Sequence, residues 1–121
     1  MAAADLKIPF SSPGLGGGIS VAPQVIAKLA GKAARATYGV VAMQEKPIKR
    51  LSHLLRSSFT DGVEVDIEGD RANIGLHVVM ERGLNLAQVT ANLQEQVRYQ
   101  VGQVGGVPLG EVAVHVEDLQ D

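Results

Sequence analysis

The stretch VEVDIEGDRANIGLHVVM, residues 63–80, decides how the chain is read. Val63, Val65 and Ile67 alternate with Glu64, Asp66 and Glu68, Gly69-Asp70 interrupts, and Ala72, Ile74, Leu76, Val78 and Met80 resume the alternation. A period of two sends successive side chains to opposite faces of a pleated strand. A glycine-containing break between two such runs turns the chain back on itself, so the stretch predicts a β-hairpin with one face meant for burial.

That face needs a cover, and the flanking sequence supplies two amphipathic helices. Upstream, Pro23 suits the first helical position, and Val25, Ile26, Leu29, Ala30 and Ala33 recur at steps of three and four, predicting a helix from about Ala22 to Ala36. Downstream, Asn85 with Gln88 three positions on reads as a capping box, with Leu84 placed to pack on Val89. Leu86, Val89, Leu93, Val97 and Val101 follow as the buried stripe, and Gly105-Gly106 end the helix. Further strands are expected at Ile19–Val21, at Tyr38–Met43, and after Pro108, where Val112, Val114 and Val116 alternate with more polar neighbours. The order β-α-β-β-β-α-β predicts an α+β fold, a two-layer sandwich in which both helices cover one face of a mixed sheet. The strand order is not legible from these patterns.

The chain of 121 residues suits one domain. Residues 1–17, with Pro9, Pro13 and glycines at 14, 16 and 17, read as a flexible N-terminal tail. Residues 18–118 form the domain, 44–61 a basic variable insertion within it, and 119–121 a C-terminal tail. The absence of cysteine excludes a disulfide framework, thiolate zinc sites and a cysteine nucleophile. A net charge of −2 argues against a generally basic nucleic-acid binder, and aromatic residues at 3% leave few rings for base stacking. No apolar run approaches the roughly 18–20 residues that span a bilayer, and the first residues lack the pattern of a signal peptide, so a cytoplasmic location is expected.

Candidate chemistry is sparse. Gly14-Leu15-Gly16 has Ile19 where a dinucleotide loop needs its third glycine, and Gly31-Lys32 is followed by Ala33 where a P-loop needs Ser or Thr. Asp66, Glu68 and Asp70 have the spacing of a calcium loop, but Arg71 and His77 stand where that loop needs glycine and glutamate, and strand alternation already accounts for the carboxylates. His53, His77 and His115 form no HxH or HExxH pattern. If the hairpin and the last strand are neighbours, His77 and His115 share the uncovered sheet face, where Glu111 and Glu117 would complete a small acid–base or metal site. No cofactor is called for.

Charge is segregated. Between Gln44 and Thr60, Lys46, Lys49, Arg50 and Arg56 stand against Glu45 alone, a local +3 in a negative chain. Ile48, Leu51, Leu54, Leu55 and Phe59 fall at near-helical spacing beside them, which makes Lys46, Lys49, Arg50, Leu51, Leu54 and Arg56 the candidate partner-binding residues. As a membrane contact, four cations at about 1 kcal/mol each are too weak alone, so a peripheral position requires many copies or a membrane-anchored partner. The same cations against phosphates would make a nucleic-acid or ribonucleoprotein accessory.

With these elements placed, the chain resembles the bacterial alkaline shock protein family, also called envelope stress response proteins, over about Gly18 to Val116. The resemblance rests on Gly18-Ile19-Ser20-Val21 with Val25-Ile26 and Leu29-Ala30, on Gly39-Val40 with Met43, and on Gly62-Val63-Glu64-Val65. It continues through Gly83-Leu84-Asn85-Leu86 with Val89, Leu93-Gln94, Val97 and Val101, and ends on Val112-Ala113-Val114-His115-Val116. It implies a non-catalytic cytoplasmic protein that associates with itself and, commonly through a membrane-anchored partner, with the inner face of the envelope under stress. An uncovered sheet face carrying Val79 and Ala113, with unpaired edge strands, would give self-association a physical route.

Overall fold

The protein's computed structural model describes residues 5–9, 18–44 and 57–121. Its elements are β1 (Leu6–Pro9), β2 (Gly18–Val21), α1 (Pro23–Arg35), β3 (Val40–Met43), β4 (Ser57–Thr60), β5 (Val63–Glu68), β6 (Arg71–Glu81), α2 (Leu86–Val97), a π-helical turn (Arg98–Val104) that continues α2, and β7 (Leu109–Gln120). The fold is α+β, with a mixed five-stranded sheet and a separate β1–β2 pair. The element order differs from the expected one by two added strands, β1 and β4.

The hairpin forms where alternation places it. β5 and β6 pair antiparallel from Val63 opposite Leu76 to Glu68 opposite Arg71. β6 is the sheet's spine: β7 runs parallel to it along its length, while β5 and then β3 share its other edge. The hand-over falls at His77, whose N–H donates to the Gly62 carbonyl and whose own carbonyl accepts from the Gln44 N–H. β3 and β5 therefore behave as one strand along β6, interrupted by an excursion that leaves at Gln44 and returns at Gly62. Only glycine fits the return. Gly62 has φ +81, and a Cβ there would stand 2.8 Å from that of Met43.

The end of the excursion is β4, which pairs with β5 through a two-residue Asp61-Gly62 turn, both residues having positive φ. The basic stretch 44–61 therefore ends in a strand, and Asp-Gly between two strands is the sequence of a tight hairpin turn. The tails are also shorter than expected. Within residues 1–17, β1 pairs with β2 and its Leu6 is fully buried in the core, and β7 carries Leu119 of the expected C-terminal tail against that core. Leu6, fully buried, contributes about 1.5–3 kcal/mol to holding β1 in place, and the partly buried Leu119 contributes less at the end of β7.

α1 and α2 pack on one side of the sheet. Ile26, Ala30 and Ala34 of α1 and Val89, Leu93 and Val97 of α2 join Val63, Val65, Ile74, Leu76, Val78, Met80 and Val112 in one aliphatic core. Pro23 begins α1 as expected, and the Asn85 side chain accepts from the Gln88 N–H at 3.1 Å to cap α2. The Gln88 side-chain Nε2 donates to Asn92 Oδ1 at 3.0 Å, one turn further along the helix. Two stripe assignments fail. Val25 and Leu86 are exposed, lying to the side of the arcs that touch the sheet.

Candidate functional site

The face of the sheet turned away from the helices carries Glu64 and Asp66 from β5, Asn73, Gly75 and His77 from β6, and Glu111, Ala113 and His115 from β7. Two features of the backbone position them. The two-residue turn at Gly69-Asp70 sets Glu64 opposite Gly75, and the parallel pairing sets His77 beside His115. β7 is also bulged twice. Opposite the Val78–Val79 step it contains an extra residue, Glu117, and opposite Ala72–Ile74 it contains another near Gly110 and Glu111. An extra residue re-aims the local side chains. At the first bulge Glu117 reaches His77. At the second, the Asn73 side chain accepts from the Glu111 N–H at 2.8 Å and supplies the partner that the regular ladder would have given.

His77 is fully buried and lies between two carboxylates. Its Nδ1 is 2.7 Å from Glu117 Oε1 and its Nε2 is 3.4 Å from Glu64 Oε1. Its ring stacks on that of His115, centroid to centroid 4.7 Å at an interplanar angle of 16°. A carboxylate only accepts, so the ring donates to Glu117 in one neutral tautomer and to both carboxylates when doubly protonated. Either way both ring nitrogens face groups of this chain. Such a ring is placed to hold β5, β6 and β7 together and is poorly placed to take a proton from a bound substrate, which needs a nitrogen within reach. Among the described residues, no buried side-chain nitrogen or oxygen lacks a hydrogen-bond partner, and no three metal-ligating side chains are arranged to hold an ion.

Beside this buried cluster the face opens into a shallow groove of about 310 Å³, walled by Glu64, Asp66, Glu111 and His115 and floored by Gly75 and Ala113. Gly75 makes the floor low. A Cβ there would sit 3.3 Å from Glu64 Oε1 and 3.9 Å from His115 Nε2.

The structure thus brings His77, His115 and Glu117 together as the sequence suggested, and places Glu111 along the groove. It adds Glu64, to which the sequence analysis gave no part in that cluster. The two-residue turn was the available signal, because it fixes the register that puts Glu64 across from Gly75 and diagonal to His77. Val79, expected on an open face, is buried. The candidate partner-binding residues Lys46, Lys49, Arg50, Leu51, Leu54 and Arg56 lie outside the described residues, as does His53.

A family model described as the ASP23 (alkaline shock protein) family, with a cell envelope-related function, matches residues 13–120. The chain belongs to that family. Among curated proteins it is 35% identical over 107 residues to the uncharacterized protein YloU of Bacillus subtilis, covering 86% of this chain and 89% of that one. It is 27% identical over 108 residues to the uncharacterized protein YqhY of the same organism, covering 86% of this chain and 78% of that one. It is likewise 27% identical over 105 residues to the uncharacterized protein Spy1614 of Streptococcus pyogenes, covering 84% and 87% of the two chains. No solved structure matches. Membership carries a cell envelope-related function for the alkaline shock protein fold described above. No helix among the described residues is long and apolar enough to cross a membrane.

Proposed function

We propose that this alkaline shock family protein is a non-catalytic scaffold of the envelope stress response, working through self-association and through contact with a membrane-anchored protein at the cytoplasmic face. The observation that carries the reading is the state of its chemistry-bearing side chains. His77 is fully buried with a carboxylate facing each nitrogen, so its neighbourhood serves cohesion between strands. What the fold leaves for outside contact is surface. Among the described residues β7 pairs as a strand only with β6 and β4 only with β5; Gln94 and Arg98 donate to the Val112 and Gly110 carbonyls of β7, which leaves the later part of β7 and the β4 edge as places where another strand could add. A family function at the envelope, in a chain without a spanning helix among its described residues, suits attachment through another protein.

The test is the mass of the purified full-length chain by sedimentation velocity across a hundredfold concentration range, together with fractionation of cells expressing it. A mass that climbs above the monomer, with recovery in the membrane fraction, is expected. A monomer at every concentration, with none of the protein at the membrane, defeats the reading.

A further inference from the structure

The two layers of the fold carry opposite charge. α1, α2 and the π-helical turn hold Lys28, Lys32, Arg35 and Arg98 against Glu95 alone, whereas the rest of the described residues hold three cations, Lys7, Arg71 and Arg82, against eleven carboxylates. The positive side is concentrated on α1, which has no acidic residue. At about 100° per residue, Val25, Lys28, Leu29, Lys32 and Arg35 fall on one arc of that helix, opposite Ile26, Ala27, Ala30 and Ala34, which enter the core. Among the described residues none of these three cations has a carboxylate within ion-pair distance. The arc is also partly apolar. Val25 is 48% exposed, and Leu29 lines a groove of about 260 Å³ together with Lys32, Ala36, Gln96 and Gln100. The π-helical turn ends beside Leu29, where a Cβ on Gly105 would stand 3.4 Å from Leu29 Cδ1, and its Val104 is 64% exposed.

A helix that presents cations with aliphatic side chains among them, and no carboxylate to pair with them, has the pattern that lies along an anionic lipid surface: the lysine stems carry charge to the headgroups while the apolar groups enter the boundary below. The geometry points to the outer arc of α1 as the docking surface for anionic phospholipid headgroups, with Lys28, Lys32 and Arg35 against the leaflet, Val25 beside them and the acidic sheet held away. The inference goes beyond attachment through a membrane-anchored protein, since it requires lipid alone. Each cation next to an anionic leaflet strengthens binding about fivefold, so three give on the order of a hundredfold, a reversible contact for one copy that several associated copies multiply. The sheet lies behind the thickness of a helix, about 10 Å, which is roughly one Debye length at about 0.1 M salt, so its repulsion of the leaflet is screened more than the attraction of α1.

Flotation of the full-length protein with vesicles of phosphatidylcholine, with and without phosphatidylglycerol, tests this. Binding to the mixed vesicles at low salt, none to phosphatidylcholine alone, and release as salt rises are expected. Lys28→Glu with Lys32→Glu alters exposed side chains outside the core and is expected to weaken binding at least tenfold. Val25→Trp gives a second reading in a chain with no tryptophan of its own: its emission is expected to shift to shorter wavelength with the mixed vesicles only. An unaltered chain that does not bind the mixed vesicles, or binds both kinds equally, overturns the inference and leaves attachment through a membrane-anchored protein standing. Binding that survives the double exchange removes α1 from the contact, and its loss on Lys49→Glu with Arg50→Glu would then give the contact to those cations. Should the double variant not fold, Val25→Trp decides: a shift with the mixed vesicles supports the α1 surface, and unchanged emission from bound protein overturns it.

Discussion

At its centre β6 is buried on both faces, by different means. Toward the helices, Ala72, Ile74, Leu76, Val78 and Met80 meet aliphatic side chains from α1, α2 and β5. Away from them, His77 is as inaccessible as Leu76, but it is enclosed by Glu64, Glu117 and the ring of His115. The first face gains from removing apolar area from water. On the second, a polar ring has lost its water and is compensated by groups that must be correctly placed. Packing tolerates exchange among side chains of similar volume, whereas a buried polar group left without its partner loses its whole compensation.

The comparison breaks first on the helix side. Leu76→Ala is expected to cost about 3 kcal/mol in urea unfolding, as a buried leucine does when the site collapses only in part. Next, His77→Ala is expected to cost about 2 kcal/mol, because Glu64 and Glu117 then face each other without the ring between them. Restoring most of that loss by combining it with Glu117→Gln would show that the penalty is electrostatic and not a lost volume. Within the cluster, Glu117→Gln should cost about 1 kcal/mol and Glu64→Gln less, following the 2.7 Å and 3.4 Å contacts, and equal losses by chemical denaturation would contradict that ranking. Smallest is Gly75→Ala. A strand gains slightly by losing a glycine while the Glu64 carboxylate must shift, so stability is expected to stay within about 0.5 kcal/mol.

Much of the helix-facing side was legible in the residues. Alternation over 63–80 gave the hairpin, the three-and-four spacing gave α1 and α2, and Pro23 and Asn85 gave their starts, because each signal is local and acts through backbone geometry. Two strands were missed for different reasons. β4 had its signal in Asp61-Gly62, overshadowed by the basic residues before it. β1 had only the brief alternation of Leu6 and Ile8, too short to mark a strand, and the burial of Leu6 depends on where the rest of the core lies. The outer face was half legible: the hairpin register contained the placement of Glu64, while the meeting of His77 with His115 required knowing that β7 lies parallel along β6.

The residue pattern by itself thus determined both helices, five of the seven strands, most of the faces that seek burial, and how β5 and β6 are aligned. These follow from periodicity and from a turn too short to allow another register. The tertiary structure alone decided that β3 and β5 share one edge of β6 across the Gln44–Gly62 excursion, that β7 takes the other edge, and that its bulge turns Glu117 onto His77. Such outcomes depend on contacts between residues far apart in the chain, whose pairing reflects how all the apolar faces are covered at once and leaves no periodic mark on the segments that meet.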